Sequence, residues 1–136
     1  MVAFRVLPRA PVPSPVTRRT HRGVLLSAEC WGDGDQEFFR AAQGRPGARG
    51  FLVTIAKANH NYFNTEWTTG PAPADGDDTD CPGATGRPSA AAQQHLAVTY
   101  LRAFYAYALK GDARGMPVLT GKSPVSGVTT RVETFG

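Results

Sequence analysis

Two short apolar runs and one long amphipathic stretch organise this chain. Gly23-Val24-Leu25-Leu26-Ser27-Ala28 is almost continuously apolar and stops at the turn-rich Trp31-Gly32-Asp33-Gly34-Asp35, so it reads as a buried strand. Phe51-Leu52-Val53-Thr54-Ile55 is a second such run, and its lack of alternation suits a parallel strand covered on both faces. Between them, Gln36 to Ala42 carries Phe38, Phe39 and two alanines with no breaker, which predicts a short helix ended by Gly44, Pro46 and Gly47. Strand, helix, strand in that order is a βαβ unit. Further on, Leu96, Tyr100, Leu101, Phe104 and Ala108 recur at helical spacing, with Ser89 as the N-cap and Gly111 as the stop. The residues from Gly70 to Pro88 read as a loop of glycine, proline and aspartate, and 112–136 shows no further strong pattern.

Composition adds to this picture mainly by locating what is not core. The 136 residues suit one domain of the usual ~100–150. With 15 glycines and 11 prolines, much of the chain must be loop. The formal charge of +4 is concentrated at the start, where Arg5, Arg9, Arg18, Arg19 and Arg22 all precede the first acidic residue, Glu29. Without that head the chain is close to neutral, so the charge gives no reason to expect nucleic-acid binding. The head, 1–22, mixes proline and arginine without periodicity and reads as disordered. Its prolines also interrupt any signal-peptide core. No apolar run reaches the ~18 residues of a membrane span.

The residues that carry chemistry cluster after the two strands. Ala58 to Thr68 reads Ala-Asn-His-Asn-Tyr-Phe-Asn-Thr-Glu-Trp-Thr. This segment resembles the catalytic-histidine loop of bacterial, often secreted, serine esterases and lipases of the α/β-hydrolase superfamily, near the polyester-hydrolase and chlorophyllase-like groups. The resemblance implies that His60 is the general base. Upstream, family members carry Cys-Asp-Gly-Asp after a leucine-rich strand, and this chain has Cys30-Trp31-Gly32-Asp33. Asp33 then matches the acid that orients the histidine, with Asp35 as the alternative because Trp31 replaces the first aspartate of the family turn. Downstream, Asp77-Asp78-Thr79-Asp80-Cys81 leads to Ala91-Ala92-Gln93-Gln94 as an acidic loop, cysteine and helix do in the family. The same resemblance implies a disulfide between Cys30 and Cys81.

The order acid, helix, strand, histidine is the one in which such enzymes present their triad. The histidine takes a proton from a serine hydroxyl while the carboxylate holds its tautomer. The nucleophile is missing: Ser14, Ser27, Ser89, Ser123 and Ser126 are the serines, and none lies in Gly-x-Ser-x-Gly. The expected architecture is therefore a partial α/β-hydrolase fold, with the last two parallel strands and flanking helices. Residues 1–22 form its head, 23–122 the C-terminal part of a hydrolase domain and 123–136 a tail. A truncated or misassigned reading frame accounts for this better than a short protein that has lost catalysis.

Rival readings are plainer. A loop histidine and an Asp-Gly turn are common without any function. Trp67 and Phe63 could line a substrate pocket or simply pack the loop. No Cys-x-x-Cys or His-x-x-x-His pair suggests zinc, and a calcium loop starting at Asp75 would need glycine where Asp80 stands and glutamate where Gly86 stands, so neither a metal nor another cofactor is expected. The function expected is that of an ester-hydrolase C-terminal portion, inactive alone, whose parent acts on a small-molecule ester or lipid. The alternative is a non-enzymatic accessory or interaction domain of the same descent.

Overall fold

The computed structural model describes residues 21–29, 32–63 and 86–136, at 32, 33, 60 and 61 through the backbone. The elements in chain order are β1 (Arg22–Ala28), α1 (Gly32–Gln43), β2 (Arg49–Ile55), a 3₁₀ turn (His60–Phe63), α2 (Ala90–Lys110), a second 3₁₀ turn (Ala113–Gly115), α3 (Met116–Leu119) and β3 (Thr130–Phe135). They build a small mixed sheet in the order β1-β2-β3 with helices on its faces.

β1 and β2 are parallel, as the two apolar runs implied, and pair from Arg22 opposite Arg49 to Ala28 opposite Ile55. Successive side chains on a strand alternate between faces. The register therefore puts Val24, Leu26 and Ala28 on the same face as Phe51, Val53 and Ile55. That face meets α2, where Leu96 and Tyr100 are fully buried and the Phe51 ring stands edge-on to Phe104 and Tyr107 at 6.5 and 6.1 Å. The stripe read from the sequence is thus the packing face of α2.

The other face, bearing Gly50, Leu52 and Thr54, is covered by α1. Phe39 of α1 contacts Phe135 of β3 edge-on at 4.9 Å, and Phe135 lies opposite Gly50. The Phe135 ring occupies the space that a Cβ at position 50 would need. A glycine there lets the ring lie over the strand.

α2 runs antiparallel to the two parallel strands. Ser89 caps its start, its hydroxyl accepting from the Ala92 N–H at 3.2 Å, and Gly111 in the left-handed region (φ 67°) ends it. The last carbonyls meet the beginning of β1: Arg22 Nη1 donates to Tyr107 O at 3.0 Å and Ala108 O at 3.3 Å. A guanidinium is favourable there because the helix C-terminus carries partial negative charge.

Three expectations are corrected. Residues 32–35, read as a turn before a helix at Gln36, are the first turn of α1. Glycines 32 and 34 each cost about 1 kcal/mol of helix propensity, but Asp35 in the first turn suits the positive end of the helix and helps it start early. The stretch 123–136, expected as a tail, supplies β3, antiparallel to β2 with Val132 opposite Val53. Its polar alternation, Thr130-Arg131-Val132-Glu133-Thr134, fits a sheet edge with only intermediate burial. Likewise Arg22, assigned to the head, is the first residue of β1, whereas 1–20 lie outside the described residues.

Candidate functional site

The loops that the sequence singled out leave the same end of the sheet. β1 and β2 stay in register to their last residues, so the segments following Ala28 and Ile55 start side by side. They are also tied together: the Lys57 N–H donates to Glu29 Oε2 at 3.2 Å. Carboxyl ends of adjacent parallel strands are where open α/β sheets assemble sites.

The chain reverses immediately after β2. Lys57 adopts φ 54°, a left-handed conformation uncommon for a residue with a side chain, and the Ala58 N–H reaches Ile55 O at 3.4 Å. The reversal carries Ala58 and Asn59 back into the core, where Asn59 is 0% exposed. Burying the Asn59 backbone would leave polar groups without water. Gln93 of α2 supplies both partners: its Oε1 accepts from Asn59 N–H at 3.1 Å, and its Nε2 donates to Asn59 O at 2.7 Å. A primary amide presents one acceptor and one donor side by side, which matches the backbone groups of a single residue. Asn59 O also accepts from the Tyr62 N–H at 3.1 Å and so closes the 3₁₀ turn that His60 opens.

This clamp was missed in the sequence, although a signal existed. Gln93 is three residues before Leu96 and continues the stripe of α2, and a polar residue on a buried face needs a specific partner. The Glu29 contact left no comparable trace, because it joins a carboxylate to a main-chain N–H across two loops.

The predicted site residues fall as follows. Asp33 and Asp35 lie in the first turn of α1, and His60 opens the turn after β2, so the adjacent strand ends deliver both segments to one end of the sheet. The side chains of Asp33 and His60, and Trp67, Cys30 and Cys81, lie outside the described residues. Asp35 is half-buried. Phe63 is half-buried against the core that holds Ile55, Ala58 and Leu96, which gives it a packing role. Among the described residues no group of three histidine, cysteine, aspartate or glutamate side chains could hold a metal ion. No helix among them is long and apolar enough to cross a membrane. No protein family, curated protein or solved structure matches the chain.

Proposed function

We propose that this chain is the acid- and histidine-bearing portion of a serine carboxylic-ester hydrolase. The observation that carries the reading is the pairing of β1 with β2, parallel and in register to their ends, with the Asp33 segment following one and the His60 turn following the other. In this reading His60 takes the proton of a serine hydroxyl as it attacks the ester carbonyl, then returns it to the departing alcohol. Asp33 orients the imidazole, with Asp35 as the competing acid. The serine and the oxyanion-hole donors come from sequence outside this chain. Gln93 fixes the backbone from which His60 departs.

The test compares the chain with a longer product of the same locus, read from upstream and containing Gly-x-Ser-x-Gly, on a short-chain p-nitrophenyl ester. The chain alone is expected to be inactive. The longer product is expected to turn over, with kcat falling by about 10³-fold or more in His60→Ala. Turnover indifferent to His60→Ala, or the absence of any upstream serine motif, overturns the reading in favour of an accessory domain.

A further inference from the structure

The two edges of the sheet are protected differently. β3, on one edge, carries Arg131 and Glu133 in an alternating polar pattern, and charged side chains discourage a further strand from adding. β1, on the other, has no charge, proline or bulge from Gly23 to Ala28, and among the described residues no strand pairs with its outer side. It is as continuously apolar as β2, yet Val24, Leu25 and Leu26 are only half-buried where Phe51, Leu52 and Val53 are buried. Beside it Phe38 is 68% exposed, and with Val24 and Leu25 it lines an apolar cavity of about 260 Å³ between α1 and the sheet.

Backbone direction decides what can add to this edge. The Arg49 N–H donates to His21 O at 2.8 Å, so the His21 peptide groups face β2. Alternate residues of a strand turn their N–H and C=O to opposite edges. Gly23, Leu25 and Ser27 therefore face β2 as well, while Arg22, Val24, Leu26 and Ala28 present their backbone groups to the open side.

We propose that this edge pairs with the same edge of a second copy of the chain, antiparallel about a two-fold axis at Leu25. In that register Val24 exchanges both backbone bonds with Leu26 of the second copy, and Leu26 with its Val24, so the outward groups of both residues are used. Opposed residues share a face of the sheet. Val24 thus packs on Leu26 on the α2 face, and the two Leu25 side chains meet on the α1 face, where Phe38 extends the apolar surface. Charge selects the second copy. The seam is neutral from Gly23 to Ala28 and offers an acidic or basic strand nothing to pair with. Each Arg22 falls opposite Ala28 at an end of the seam, roughly 20 Å along the strand from its counterpart, so like charges do not meet. The charged β3 strands then lie outermost in a six-stranded sheet, and association stops at two. The proposal does not rest on the ester-hydrolase reading, because it concerns the sheet edge and is tested by association without turnover.

Sedimentation equilibrium of the full chain tests it. A monomer–dimer equilibrium is expected, with the Val24 and Leu26 amides exchanging hydrogen more slowly in the dimer than in the monomer. Leu25→Lys and Leu25→Glu each set like charges face to face at the axis and should weaken the dimer at least tenfold, whereas a one-to-one mixture of the two variants should associate again. That recovery separates a broken contact from a broken fold. Val24→Pro removes an N–H that β2 does not use, so it should keep the fold, checked by circular dichroism, and weaken the dimer at least tenfold. A chain that stays monomeric up to its solubility limit overturns the proposal. So does a dimer whose affinity is unchanged in all three variants, or a monomer whose Val24 and Leu26 amides are already protected, which would show another part of the same chain on the edge.

Discussion

The two ends of the sheet are fastened to the same helix by different chemistry. At the carboxyl end of β2, a buried neutral amide, Gln93, satisfies both backbone groups of Asn59. At the amino end of β1, an exposed guanidinium, Arg22, bonds the final carbonyls of α2 and covers Tyr107. The first fastening excludes water and uses every group it presents to Asn59. The second is wet and leaves donors over. A buried, fully matched contact fixes the geometry of a loop, because each lost bond exposes an uncompensated polar group. A solvated cationic contact tolerates change, because water replaces the bonds it loses.

If this contrast is right, the largest effect comes from the carboxyl end. Gln93→Leu takes the Gln93 acceptor from the buried Asn59 N–H and the Gln93 donor from its carbonyl, which should lower stability by about 3 kcal/mol. Urea denaturation measures the loss, and hydrogen exchange at the Asn59 amide should rise well above that of β1. A loss below about 1 kcal/mol would mean that the loop is held by other contacts and that the two ends are alike.

At the amino end the counterpart is Gly50→Ala. The added methyl displaces the Phe135 ring from its place over the strand and weakens its contact with Phe39, for a cost of about 1–2 kcal/mol. The same denaturation series checks this. Double substitution with Gln93→Leu should be close to additive, because the sites share no partner.

Between the two ends, Tyr100 is 0% exposed and its hydroxyl has no hydrogen-bond partner among the described residues. Tyr100→Phe removes that unsatisfied group while keeping the ring, so stability should hold or rise by up to about 1 kcal/mol. A clear loss would show that the hydroxyl makes a stabilising contact and that the middle of α2 is held by a polar bond as its start is.

The smallest effect lies just past α2. The Arg114 guanidinium and backbone N–H hydrogen-bond the Asp112 carboxylate and lower its pKa to about 2 from 3.8. A depressed carboxylate pKa stabilises the fold above the unfolded value and loses that contribution as pH falls through the folded value. Asp112 should therefore titrate by NMR with a midpoint near 2, and Arg114→Ala should move it back toward 3.8. Because the pair is exposed, stability at neutral pH should barely change.

Much of the frame was legible along the chain. The apolar runs Val24–Leu26, half-buried in β1, and Phe51–Val53, buried in the central β2, marked strands by their continuous apolarity, and Ser89 and Gly111 marked the limits of α2 through their capping chemistry. The start of α1 was misjudged because glycine and aspartate favour both turns and helix N-termini. β3 was invisible because an edge strand presents polar side chains to water, and Thr130 to Phe135 becomes a strand only by pairing with β2. Of the candidate site, the segments bearing Asp33 and His60 were proposed from a family resemblance, whereas Gln93 was not singled out.

The sequence by itself determined the order of strand, helix and strand and the face of α2 that turns inward. These follow from local hydrophobic spacing and capping, which act over a few residues. Only the tertiary structure decided that Gln93 grips Asn59, 34 residues away, and that Arg22 meets Tyr107 across 85 residues. Local spacing carries no information about such partners, because burial and hydrogen-bond satisfaction choose them once the sheet and α2 have packed.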